Sequence, residues 1–229
     1  MKNPSLPQNL GDNSMLSIAV IANSTFQRLG IISQIEKLKT YKVMLDAENV
    51  TAFQKKILQI KVPPDICILD MYKIGGNIYK VIKTLKKQIQ NLRILVLSSC
   101  NNILGLIKLV EVGADGYLFE NSESMELQLA LSGLDKQGMY LPNKMKDIMI
   151  AHYKNMANGN VSLTDRELEF LSYCTQELTY KEIAEKIFIS PRTVDKISRD
   201  LFEKVGVSSR TSLALFAVEI GLYEYKHNI

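Results

Sequence analysis

Between Ser190 and Arg199 the chain sets Arg192, Lys196 and Arg199 among Thr193 and Asp195, with Val194, Ile197 and Ser198 between them. Spaced for a helix, these residues leave the cations, Thr193 and Asp195 on one side. Val194, either Ile197 or Ser198, Leu201 and Val205 form a buried stripe on the other. An exposed face of this kind has the chemistry of base recognition. Lys and Arg donate to guanine O6 and N7, Asp accepts from cytosine N4, and Thr meets a thymine methyl or a phosphate. Helix-start amides near Lys181 and Arg192 are placed for phosphate. From Ser190 to Arg210 five basic residues face three acidic ones, so the stretch is locally positive. The wider segment from Val161 to Ile229 has nine Lys and Arg against eleven Asp and Glu, net −2, so any affinity for DNA rests on local placement.

The elements that must position these residues are punctuated clearly. Thr164-Asp165-Arg166-Glu167 and Thr179-Tyr180-Lys181-Glu182 are capping boxes, in which Thr and Glu side chains satisfy free amides at a helix start. Ser190-Pro191 is an N-cap followed by proline at the first helical position. Gly206 and Gly221 stand where helices should stop. A helix from Lys181 with Ile183, Ala184 and Ile187 inward, the turn Phe188-Ile189-Ser190 and a longer helix from Pro191 to Val205 make a helix-turn-helix.

Upstream, short apolar runs alternate with amphipathic stretches. Strands are expected at Leu16–Ala22, Lys42–Ala47, Asp65–Asp70, Leu92–Ser98 and Gly116–Phe119. Helices are expected near Phe26–Leu38, Val50–Ile60, Ile78–Gln88, Ile103–Val112 and Ser124–Lys136. Continuous runs such as Ile66-Cys67-Ile68-Leu69 suit parallel strands covered on both faces, which makes this part a doubly wound α/β domain. Ligands in such folds bind at the carboxyl ends of the strands, here Ala22 and Asn23, Asp70, Ser98 and Glu120. The segment Gln137 to Asn160 reads as a linker. Its middle, Lys144 to Met156, has helical spacing of Met145, Ile148, Met149, His152 and Met156, and it ends in the turn signal Asn158-Gly159-Asn160. The expected division is 14–137, 138–160 and 161–229.

The run from Leu163 to Leu222 resembles the LuxR-type helix-turn-helix of NarL/FixJ-type response regulators. The resemblance rests on Leu163-Thr164-x-Arg166-Glu167, Lys181-Glu182-Ile183-Ala184, Ser190-x-x-Thr193-Val194 and Arg210-Thr211. It implies a four-helix module that binds double-stranded DNA as a homodimer, with the helix Thr211–Ile220 at the dimer contact. Lys181, Ser190, Arg192, Thr193, Asp195, Lys196, Arg199 and Arg210 are the candidate DNA-facing residues. Asp195 departs from the Lys that many relatives carry after Thr-Val. It either alters which bases are read or pairs with Arg192 or Arg199.

Residues 16 to 137 resemble a receiver domain, with Gly113-Ala114-Asp115-Gly116-Tyr117-Leu118-Phe119-Glu120 matching its fifth strand. The resemblance implies a flavodoxin-like sheet of order 2-1-3-4-5. Phosphorylation in that family takes an acidic pair after the first strand, an acceptor aspartate, a Ser or Thr, and a lysine. Here the positions hold Ala22-Asn23, Asp70, Ser98 and Glu120, and Tyr117 matches the family's switch position. Loss of two carboxylates weakens Mg²⁺, and Glu120 repels a phosphoryl group, so a receiver without phosphorylation chemistry is expected. The alternatives are a conventional regulator phosphorylated on Asp70, a proton or cation shared by Asp70 and Glu120, and an adaptor that titrates another regulator.

Composition fits these readings. The 229 residues are 46% hydrophobic and 23% charged with net charge +4, ordinary for globular domains. No apolar run approaches the roughly 18 residues of a membrane span, and Met1 to Asn13 is polar, so a cytoplasmic location is expected. Cys67, Cys100 and Cys174 lack disulfide or zinc spacing and read as buried thiols. His152 and His227 lie in the linker and at the C-terminus, and no nucleophile elbow, Gly-rich phosphate loop or metal-spaced cluster appears in the sequence. No enzyme activity, cofactor or metal is expected, and no sensor kinase or protein partner can be named from the sequence.

Overall fold

A computed structural model describes residues 15–71, 77–155 and 162–222. Its first half alternates β1 (Leu16–Ile21), α1 (Thr25–Lys37), β2 (Tyr41–Ala47), α2 (Val50–Ile57), β3 (Ile66–Asp70), α3 (Ile78–Gln88), β4 (Arg93–Ser98), α4 (Ile103–Glu111), β5 (Gly116–Phe119) and α5 (Ser124–Gln137). The five strands are parallel in the order β2-β1-β3-β4-β5. Every residue of β3 is buried, as expected of a central strand with helices on both faces. The expected elements form, with ends shifted by a residue or so in most cases. The helix expected to run to Ile60 stops at Ile57. There the chain tightens into turns in which Gln59 N–H donates to the Lys56 carbonyl and Ile60 N–H to the Ile57 carbonyl.

Gly138 ends α5 in the left-handed conformation, at φ 74°, the usual glycine stop of a helix. The chain then doubles back beside β5, where Tyr140 N–H donates to the Asp115 carbonyl and Tyr117 N–H to the Tyr140 carbonyl. This return anchors α6 (Asn143–Asn155), the expected linker helix, whose Met145 is buried and whose Met149 packs against the core. Met156 and the turn signal Asn158-Gly159-Asn160 lie outside the described residues. Beyond them come α7 (Asp165–Cys174), α8 (Tyr180–Lys186), α9 (Pro191–Val205) and α10 (Arg210–Glu219).

Two apolar clusters cover the two faces of the sheet. The smaller joins Ile18, Ile66, Ile68 and Leu95 to Ile35, Leu127, Leu131 and Leu134 under α1 and α5. The larger begins under α2, α3 and α4 and continues without a break into Leu168, Phe170, Leu213 and Ile220 of the C-terminal helices. The end of α10 therefore rests on the sheet unit. A Cβ at Gly105 would stand 2.9 Å from Ile220 Cγ2, so only glycine lets α4 meet it this closely. Gly221, at φ 79°, lies as close to the side chain of Met71, which directly follows Asp70, and takes a backbone conformation that favours glycine.

Candidate nucleic-acid interface

Both expected capping boxes are present at Thr164 and Thr179, with the Thr hydroxyl accepting from the third amide and the Glu carboxylate accepting from the Thr amide. Ser190 Oγ accepts from Thr193 N–H at 3.1 Å, with Pro191 opening α9. Gly206, at φ 74°, closes it. These fixed ends set the rotation of α9, and with it which side chains face out.

The inner face of α9 buries Val194, Ser198 and Leu201. Ser198 takes the stripe position in preference to Ile197, which is half-buried. Its hydroxyl meets the Tyr180 hydroxyl at 2.8 Å, a bond that compensates for burying a polar group. The outer face exposes Arg192, Thr193, Asp195, Lys196 and Arg199 together, and Lys181 and Ser190 are exposed as well. Neither the sheet unit nor the other helices cover them. Among the described residues no ion pair joins Asp195 to Arg192 or Arg199; Arg199 Nε approaches the Asp195 carbonyl at 3.4 Å instead.

Arg210 stands apart from this group. It is half-buried, donates to the Gln176 carbonyl at 3.2 Å and lies over the Tyr180 ring at 5.4 Å. Much of its guanidinium, held partly by the ring face, serves to brace α10 against α8. Two other features escaped the sequence reading. Phe188, in the turn before α9, has φ 56° and is 92% exposed, an unusual conformation for a large side chain. Lys204 of α9 donates to Glu167 Oε1 at 2.6 Å and fastens the end of α9 to the start of α7.

At the carboxyl ends of the strands the fold gathers the second set of expected residues. Asp70 and Ser98 are buried, Ala22 is buried, and Asn23 and Glu120 are exposed. Tyr117 is turned inward, its hydroxyl donating to the Cys100 carbonyl at 2.6 Å, and burial pushes its pKa up. Ser98 Oγ accepts from Cys100 N–H at 3.0 Å. Beside the end of β1, Arg28 donates to the Ala22 carbonyl at 2.7 Å and to Asp46 Oδ2 at 2.8 Å. Ala22 offers no side-chain oxygen, Asn23 offers a neutral amide, and the Arg28 guanidinium places a fixed positive charge against the Ala22 carbonyl.

Residues 161–217 match the family described as bacterial regulatory proteins, luxR family. This segment is a LuxR-type module. The LuxR-type module follows a receiver-type sheet, and the whole chain is similar to regulators of that architecture. It is 25% identical over 209 residues to the DNA-binding transcriptional activator DevR/DosR of Mycobacterium tuberculosis, covering 90% of this chain and 95% of the relative. To a nitrate/nitrite response regulator protein homolog of Haemophilus influenzae it is 29% identical over 206 residues, covering 89% and 97%. Among solved structures, RcsB of Salmonella enterica serovar Typhimurium bound to a promoter in the presence of the phosphomimetic BeF₃⁻ shares the fold. There the TM-score is 0.67 at 20% identity, covering 90% of this chain and 99% of the other. Of these relatives, the first is by name a DNA-binding transcriptional activator and the second a response regulator homolog. Among the described residues no helix is long and apolar enough to cross a membrane.

Proposed function

We propose that this chain is a transcription regulator that binds duplex DNA as a homodimer through the LuxR-type module, with the receiver-type unit acting without Mg²⁺-dependent phosphorylation. The observation that carries the proposal is α9 itself. One face is locked into the protein by Val194, Ser198 and Leu201, while Arg192, Thr193, Asp195, Lys196 and Arg199 are all exposed on the other. A helix presented in this way enters a major groove and reads base edges, with Lys196 and Arg199 suited to guanine and Asp195 to cytosine N4. Lys181, Ser190 and Arg192 lie where phosphates flank the groove. Arg210 contributes mainly by holding α8 and α10 in place.

In this reading residues 14–137 form the receiver-type unit, 138–160 the linker and 161–229 the DNA-binding unit, in the cytoplasm. Dimerisation uses α10, on which Leu215 and Val218 are 67% and 46% exposed and, at this spacing, lie side by side on the helix surface. Two-fold pairing of this surface places two copies of α9 toward one face of the duplex, so the bound site is an inverted repeat.

Selection of bound duplexes from a random library with the full chain tests the reading. The expected product is an inverted-repeat motif whose affinity falls steeply as salt is raised, because Lys and Arg displace counterions from phosphates. Failure to enrich any motif, with no salt-sensitive retention of duplex DNA, would replace it with the adaptor reading.

A further inference from the structure

The turn between α8 and α9 places a large apolar side chain where the backbone disfavours one. Phe188 N–H donates to the Glu185 carbonyl at 3.3 Å and Ile189 N–H to the Ala184 carbonyl at 3.0 Å. This pair of bonds is the Schellman closure of a helix, and Phe188, at φ 56°, holds the position that glycine or asparagine ordinarily fills. Of the described non-glycine residues with positive φ, Lys39, Asn91 and Phe188, it alone is apolar. Exposed apolar side chains that stand singly are ordinary on protein surfaces. One that also costs conformational energy is not, and strain of this kind collects at functional sites.

The backbone of the turn is fixed, and the ring is not used to fix it. Arg166 Nη1 donates to the Ile187 carbonyl at 3.0 Å. Ile187 on one side is buried, and Ile189 on the other packs against the core. Phe188 itself is 92% exposed. The ring thus projects from a rigid support without adding to the core. Along the chain it lies between exposed Lys186 and the exposed Ser190 and Arg192 at the start of α9. An aromatic face bordered by cations and a hydroxyl suits the backbone of DNA, in which each apolar deoxyribose face lies between anionic phosphates.

We propose that Phe188 packs against a deoxyribose of the strand bordering the groove that α9 enters, with Lys186 and Arg192 directed to the phosphates on either side. The inference rests on the DNA-binding reading. In a helix-turn-helix the first helix crosses the DNA backbone and the start of the second enters the groove, so the turn that joins them stands at the groove edge. A ring held on a rigid turn before DNA arrives loses little freedom on binding, and a sugar contact carries no base information. Phe188 therefore sets the register and affinity of α9 on the duplex, while Lys196 and Arg199 set the sequence.

Hydroxyl-radical footprinting of the full chain on the duplex it selects tests the contact, because these radicals attack the deoxyribose itself. The parent is expected to protect a short run of sugars at the edge of each half-site, and Phe188→Gly to lose that protection while keeping the rest of the footprint. Phe188→Gly and Phe188→Asn, both compatible with the left-handed turn, should each bind about fivefold more weakly on cognate and unrelated duplexes alike, the effect of leaving roughly 40 Å² of apolar surface uncovered. The dependence of affinity on salt should stay as in the parent, since no cation is removed, whereas Lys186→Ala should flatten it. Melting temperatures no lower than the parent's would show that the loss is not one of folding. Unchanged affinity and footprint in both Phe188 variants, on a duplex that the parent binds, overturn the inference and leave the DNA-binding reading in place. Transcription lost with affinity and footprint intact also overturns it, and assigns the ring to a protein partner. A parent chain that protects no duplex overturns both readings.

Discussion

The Tyr79 hydroxyl, on α3 of the sheet unit, donates to the Ile220 carbonyl at the end of α10 at 3.0 Å, joining residues 141 positions apart. The bond is buried and sits where Ile220 packs against Gly105 and Gly221 against Met71, so the two units share one apolar interface. Around it, Asp165 at the start of α7 pairs with Lys83 at 3.0 Å and Lys108 at 3.6 Å, and Ser162 donates to Glu111. The contact holds α10 by its end and leaves α9 exposed.

Tyr79→Phe is expected to cost about 1–2 kcal/mol, because the Ile220 carbonyl stays buried without its donor. Urea denaturation followed by limited proteolysis of the linker reads the loss. Unchanged stability together with unchanged linker protection would mean that the units are not docked in this way in solution. The Lys83 donation holds the Asp165 carboxyl below its ordinary value, against a smaller opposing effect of burial, and Lys108 adds to the lowering. The contribution of this pairing is therefore present above the unfolded carboxylate pKa of about 3.9 and is lost as pH falls through the lower folded value. Small-angle scattering across that acid range should show the units separating before they unfold.

The pairing of Lys204 with Glu167 supports the DNA-binding unit from within. Burial pushes the Glu167 carboxyl up, but donation from Lys204 and from the Thr164 amide and hydroxyl outweighs it, and its pKa lies below the ordinary value. A depressed carboxylate stabilises the fold above its unfolded pKa and ceases to do so as pH falls through the folded one. Lys204→Met strands the carboxylate and is expected to cost about 2–3 kcal/mol in urea denaturation at neutral pH, with a smaller loss near pH 3. A variant as stable as the parent at both pH values would contradict this role.

Phe188 carries a local cost of a different kind. A left-handed conformation disfavours a non-glycine residue by roughly 1–2 kcal/mol, while glycine costs part of that back in unfolded-chain entropy. Phe188→Gly should therefore stabilise the chain by about 0.5–1 kcal/mol in thermal denaturation. A destabilised variant would show that the exposed ring makes stabilising contacts of its own.

Burial pushes the Cys67 thiol up to about 12, Cys100 to about 11 and Cys174 to about 12. All three are buried and stay protonated at neutral pH, so thiol-specific labelling of the native chain should be slow and complete only on unfolding. Because the folded values are raised, their contribution to stability is present below the unfolded thiol pKa of about 8.5 and fades as pH rises through the folded values. Rapid labelling of the native protein at neutral pH would contradict the packing around these residues.

Much of this arrangement was legible in the sequence because it rests on local chemistry. Capping boxes at Thr164 and Thr179, the Ser190-Pro191 start and the glycine stops fix helix ends through bonds within one turn. The apolar runs of β3 and β4 mark strands buried on both faces. What periodicity could not decide depends on partners elsewhere in the chain. Ser198 goes inward because the Tyr180 hydroxyl meets it, and Arg210 is held by Gln176 and Tyr180 instead of standing free. Arg28 was missed for the same reason: nothing in its own helix shows that it reaches the Ala22 carbonyl and Asp46. The continuous core between the two units had no local signal, because it depends on how Gly105, Ile220 and Met71 meet.

The most direct test of the central claim is the affinity of Lys196→Ala and Arg199→Ala for the selected duplex, measured at fixed salt beside the parent chain. Each substitution should weaken binding by about 1–3 kcal/mol without altering thermal stability, as expected for exposed side chains that contact bases or phosphates. Unchanged affinity in both variants would contradict the placement of α9 in the groove.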